Sequence, residues 1–219
     1  MVICELAAQF TAEAWDAATP CPEWRAVDLA AHLRCVADDY HEYLDDAPAS
    51  RLARLMASST SPERLARKLA RQNAAELAAL ADGTGPEHIL AFAISARAYA
   101  QRIVAAWDQP HHRYRDVPVT AGGMLGAACA EWHLHAWDLA RTLGKGYRPA
   151  DPDVLAAGWQ AGMPHLPLGI PLAVTTCGAG PETGFLSAPP PAVDAGGGPA
   201  EPDAGGAWFA LLRASGRLA

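Results

Sequence analysis

Over the first two-thirds of the chain, apolar residues recur at spacings of three and four, the period that gathers side chains on one face of an α-helix. Ile3, Leu6, Phe10 and Ala14 form the first stripe and predict a helix over residues 2–18. Thr19-Pro20-Cys21-Pro22 ends it, because two prolines cannot continue the hydrogen-bond ladder. Leu29, Leu33, Val36, Tyr40 and Leu44 predict a second helix over 26–46, and His32 falls on that same face. Ser61-Pro62-Glu63 is a helix start, with an N-cap serine, a proline in the first turn and an acid at the positive end of the dipole. This third helix continues through Leu65, Leu69, Leu77 and Leu80 to Asp82-Gly83. Pro86 opens a fourth, through Ile89, Phe92, Tyr99, Ile103 and Trp107 to Gln109-Pro110. Residues 111–122 read as an irregular loop, and a last long helix is predicted from about Met124 to Leu143, with Gly144 as its C-cap.

Beyond this point the texture changes. From Pro149 onward lie 11 of the 18 prolines and 12 of the 19 glycines, too many for continuous helix. Gly169 to Thr176 is short and β-branched enough for a strand, residues 178–206 read as Gly/Pro-rich linker, and Trp208, Leu211 and Leu212 restore helical spacing near the end. The fold class is therefore all-α: a helical unit over residues 1–147 and a small C-terminal region over 148–219, with possible short strands and a terminal helix.

Composition narrows the partners. The net charge is −7 with no basic stripe, which argues against nucleic acid. No apolar run is long enough to span a bilayer, and the opening MVICELAAQF lacks the basic start and cleavage pattern of a signal peptide. Five cysteines without a Cys-x-x-Cys pair predict reduced thiols and a cytoplasmic location.

The segment richest in chemistry is Glu131-Trp132-His133-Leu134-His135-Ala136-Trp137-Asp138. On a helix Glu131, His135 and Asp138 stand at i, i+4 and i+7, one stripe, while His133 points elsewhere. An i, i+4 carboxylate and imidazole can share one ion, and His32, on the core face of another helix, is the best third ligand. Asp138 is suited to orient His135 from behind. By spacing alone plain structural roles are the commoner outcome: hydrogen-bonded core histidines, a helix-surface pair, or an aspartate bound to arginine. His111-His112 reads as solvated loop, and Cys35, three residues after His32, as a buried inert thiol.

Two blocks carry a resemblance. Thr19-Pro20-Cys21-Pro22-Glu23-Trp24 with Val27-Asp28-Leu29-Ala30-Ala31-His32-Leu33, and the stretch Glu131 to Gly144, resemble the DinB-like superfamily, in particular its mycothiol-dependent maleylpyruvate isomerase N-terminal branch. Arg25 stands where the branch often has Thr or Ser, so Asp28 must work alone or as a partner of the helix dipole. The resemblance implies a four-helix bundle with a divalent metal, usually zinc, held by His32, Glu131 and His135, with Asp138 and Asp28 as outer partners. It implies mycothiol, a low-molecular-weight thiol of actinobacteria, as cosubstrate, in an S-transferase or a cis–trans isomerase acting on a small electrophile. Arg97, Arg213 and Arg217 are the candidates to bind a substrate carboxylate. A metal-dependent hydrolase or cyclase without a thiol, and a non-catalytic metal-binding stress protein, are the alternatives. The oligomeric state is open between monomer and homodimer.

Overall fold

The computed structural model describes residues 1–45, 50, 54, 62–114, 117–164 and 206–218. The described residues form helices α1 (Val2–Ala7), a 3-10 turn (Glu13–Asp16), α2 (Ala26–Asp45), α3 (Pro62–Ala79) and α4 (Gly85–Val104). Strands β1 (Pro110–Tyr114) and β2 (Val117–Thr120) follow, then α5 (Ala121–Thr142), α6 (Pro152–Gly162) and α7 (Ala207–Ala214). Among the described residues the fold is all-α apart from one hairpin. No helix among the described residues is long and apolar enough to cross a membrane.

The first predicted helix is divided. The Gln9 side-chain amide donates to the Glu5 carbonyl at 2.8 Å, occupying an acceptor that a longer helix would use. Thr11 Oγ1 accepts from the Ala14 N–H, and Phe10 stacks on Trp15 with centroids 4.6 Å apart. Side-chain bonding to nearby backbone thus competes with the helix and wins. The start of α4 is a full capping box: Thr84 Oγ1 accepts from the Glu87 N–H, and Glu87 accepts from the Thr84 N–H.

Residues 111–122, read as loop, contain the antiparallel hairpin β1–β2, with Arg113 opposite Pro118 and Tyr114 opposite Val117. Val119 is fully buried and its β-branched neighbours Val117 and Thr120 suit a pleated strand. Thr120 then caps α5 by accepting from the Gly123 N–H at 3.1 Å. Two glycines in the first turn of α5 conceal that start from any propensity argument. The stretch 169–176, read as a strand, and 178–205, read as linker, lie outside the described residues.

Helix α6 is the element that sequence periodicity missed. It packs along α5 at backbone contact: a Cβ on Gly126 would stand 2.6 Å from the Gly158 Cα, and one on Gly162 would stand 2.4 Å from the Gly123 carbonyl oxygen. Helix α5 consequently lies between two apolar layers. One joins Leu139, Ala136 and Trp132 to α1, α2 and α4, and the other joins Ala130, Leu134 and Trp137 to Leu155 and Trp159 of α6 and Trp208, Leu211 and Leu212 of α7. That sandwich explains why α5 is apolar on nearly every face. Gly158→Val should lower stability by about 1–3 kcal/mol through overpacking. The check is the thermal midpoint, with Val154→Ala on the exposed side of α6 as the control that leaves it unchanged.

Candidate metal centre

The turn before α2 is tied by one side chain. Thr19 Oγ1 donates to the Trp24 carbonyl at 3.0 Å and accepts from the Cys21 N–H at 3.1 Å. Glu23 sits at φ 70°, a left-handed conformation that a non-glycine residue adopts only under tertiary constraint. The result delivers Trp24 into the interior, its ring centroid 4.7 Å from that of His32. Asp28 reaches back to accept from the Arg25 backbone N–H at 2.9 Å and from its guanidinium. It therefore supports the N-terminus of α2 and makes no hydrogen bond to His32, neither of whose ring nitrogens has a partner. A carboxylate in the first turn is drawn instead to the unsatisfied amides there.

His32 on α2 and Glu131 and His135 on α5 come together. Each offers one ligand atom, and all lie within 4.8 Å of one another. The imidazoles meet edge to face with centroids 5.1 Å apart. Both histidines are buried, yet His32 Nδ1, His32 Nε2 and His135 Nε2 have no hydrogen-bond partner. Buried polar atoms seldom go unsatisfied, since each costs about 1–3 kcal/mol. One nitrogen from each imidazole and one Glu131 oxygen gather here, donor types that a divalent cation takes, so the residues fit the group that the resemblance implies.

The remaining atoms are held. Asp138 Oδ2 faces His135 Nδ1 at 3.0 Å. An ionised carboxylate there places the proton on Nδ1 and leaves the Nε2 lone pair directed at His32 and Glu131. Asp138 is fully buried and is bonded in turn by Arg217, whose Nε donates to Oδ1 at 2.8 Å. Tyr40, two turns after His32, donates its hydroxyl to Glu131 Oε2 at 3.0 Å.

Electrostatics match this division. Burial holds His32 well below its ordinary pKa, reinforced by the nearby His135 and by the Arg217 charge. Burial also lowers His135, against the opposing pull of Asp138. Both are neutral at physiological pH, with lone pairs available. Burial pushes the Glu131 carboxyl up to about 7, against the Tyr40 hydrogen bond and the Arg217 charge.

A family model described as the mycothiol maleylpyruvate isomerase N-terminal domain matches residues 3–140. The chain belongs to this family. No curated protein and no solved structure matches it.

The match ends short of α6 and α7, yet the segment after α7 supplies Arg217 to the centre. Arg217 was expected to meet a substrate carboxylate, and its side chain is 3% exposed with the carboxylate of Asp138 as its partner. The other two candidate arginines are not drawn in. Arg97 is exposed on α4, and Arg213 is exposed with its guanidinium over the Phe209 ring. His133 turns away from the centre toward the Tyr147 hydroxyl. His111 is not solvated but packs against the Tyr43 ring at 4.5 Å.

The cysteines depart from expectation in one respect. Cys4, Cys35 and Cys129 form no disulfide, whereas Cys21 is disulfide-bonded. Spacing along the chain does not report which sulfurs fold close together. Cys21, His135 and Asp138 also gather within 4.8 Å, but a disulfide sulfur is no thiolate ligand and Asp138 is engaged by Arg217. The set with free lone pairs is His32, Glu131 and His135. Periodicity treats Tyr40 as plain core, and its only sequence signal is its place two turns beyond His32.

Proposed function

We propose that this protein is a divalent-metal-dependent enzyme, most simply a zinc enzyme, that activates mycothiol for attack on a small electrophile. The observation that carries the reading is the convergence of His32, Glu131 and His135 within 4.8 Å, with three buried ring nitrogens lacking hydrogen-bond partners. Membership in a mycothiol maleylpyruvate isomerase family supports the thiol.

The chain's residues divide the work. His32 and His135 present neutral imidazoles, Glu131 a carboxylate, and Asp138 keeps the His135 proton on Nδ1. Arg217 balances the Asp138 charge and brings the C-terminal segment over the centre. A divalent cation held by His32, Glu131 and His135 would lower the pKa of a bound thiol from about 8.5 into the range where thiolate prevails. Addition of that thiolate to an activated alkene, rotation about the resulting single bond and loss of the same thiolate give cis–trans isomerisation with no net consumption of thiol. With an electrophile that does not eliminate, the adduct is the product and the reaction is S-transfer.

Among the described residues, the carboxylate beside His135 is committed to the Arg217 guanidinium, so Asp138 is not free to serve a hydrolase as general base. The deciding assay adds mycothiol and maleylpyruvate to the zinc-loaded full chain, following geometric isomerisation by absorbance and thioether formation by mass. Mycothiol-dependent conversion of either kind supports the proposal. Bound zinc with no thiol-dependent reaction toward maleylpyruvate or a panel of simple electrophiles refutes it.

A further inference from the structure

Glu131 is the one candidate ligand whose side chain is bonded to a residue on another bundle helix. Tyr40 and His32 lie on the same face of α2, eight positions apart, or slightly over two turns. The hydroxyl that meets Glu131 Oε2 at 3.0 Å therefore comes from the same helix that brings His32. Tyr40 is 4% exposed. Its ring is fixed on two sides: Tyr99 lies at 5.4 Å between centroids, and Trp132 stands edge-on at 6.3 Å. Trp132 is held in turn by Phe92 of α4 at 5.5 Å. The hydroxyl thus has little freedom, and the carboxylate it meets is correspondingly oriented.

We infer that Tyr40 is a positioning residue that occupies one oxygen of Glu131, so that the carboxylate offers a bound cation its other oxygen alone. The inference rests on the metal-centre reading above and deepens it. A carboxylate can grip a cation through one oxygen or two. A donor on Oε2 disfavours the two-oxygen mode, because the hydrogen bond draws electron density from that oxygen and fixes the rotation of the carboxylate. Single-oxygen binding keeps the coordination number low, which is what an open position for a thiol requires. Asp138 performs the matching task for His135, so both α5 ligands are oriented from behind, one by α2 and one from within α5 with the C-terminal arginine.

The test is Tyr40→Phe, which keeps the ring and its packing and removes the hydroxyl. Zinc affinity is measured by competition with a chromophoric chelator, and cobalt(II) is substituted to read the coordination number from its visible spectrum. The expected result is affinity about 10- to 100-fold weaker than wild type. The cobalt bands should also weaken, as the freed carboxylate swings to two-oxygen coordination. In a Glu131→Gln background Tyr40→Phe should cost nothing further, which a general packing defect would not reproduce. Wild-type affinity and spectrum in a folded Tyr40→Phe protein would overturn the inference while leaving the metal centre standing. Failure of the wild type itself to bind zinc or cobalt would overturn both.

Discussion

Replacing His135 by alanine is expected to weaken zinc binding by more than about a hundredfold, because loss of a mere outer partner already costs 10- to 100-fold. His135 is fully buried, its Nδ1 is committed to Asp138, and Nε2 is the atom left facing His32 and Glu131. The variant removes one of three donors and leaves the other two to bind alone. Metal content per chain, measured after purification without chelators, gives the answer, and equal zinc in variant and wild type would sink the assignment. The same measurement across pH has a defined sign. A proton on Glu131 competes with the cation for one carboxylate, and burial sets that competition at about pH 7. Apparent affinity should therefore rise with pH through about 7 and fall about tenfold per unit below it. The histidines, held below their ordinary value, add their own protons to the competition only at lower pH.

Cutting the pair between Arg217 and Asp138 should be the most damaging change to stability, about 3–5 kcal/mol for Arg217→Met. Both side chains are buried, 3% and 0% exposed, so removal of either leaves a charge with no solvent to take its place. Burial alone would raise the Asp138 pKa, but the Arg217 charge and the His135 contact outweigh it and hold the carboxyl below its ordinary value. A depressed carboxylate pKa contributes stability above the unfolded value, near 3.9, and that contribution disappears as pH falls through the folded one. Without Arg217 the carboxyl rises, so the acid limb of the stability curve should move to higher pH. Chemical unfolding of Arg217→Met, Asp138→Leu and the double variant decides the matter. The double variant should recover part of the loss, since it removes both charges together. Additive losses would show that the pair contributes no coupling.

Much of the bundle was readable from periodicity because its helices are amphipathic and their ends are marked. Pro62 starts a helix and the Thr19-Pro20-Cys21-Pro22 turn ends one because proline lacks an N–H, Gly144 takes the left-handed C-cap conformation, and the predicted boundaries of α2, α3 and α4 fall within a few residues of those observed. Helix α6 was hidden by its own packing. Gly158 and Gly162 read as helix breakers, yet they are what allows α6 to touch the backbone of α5, and that contact stabilises the helix beyond its propensity. Thr11 and Gln9 split the first helix by bonding to nearby backbone, a choice that hydrophobic spacing does not record.

The candidate ligands follow the same division. By sequence alone, Glu131 and His135 share a helix face because i and i+4 always do, and His32 faces the core because its neighbours Leu29 and Leu33 are apolar. Helical period is a local property, so these placements needed no knowledge of the fold. That His32 meets the other two, that Asp28 bonds the backbone of Arg25 rather than His32, and that Arg217 returns from the far end of the chain to hold Asp138 were decided only by the tertiary structure. Which buried nitrogens go without partners depends on how helices far apart in sequence pack against each other, and no spacing along one helix contains that information.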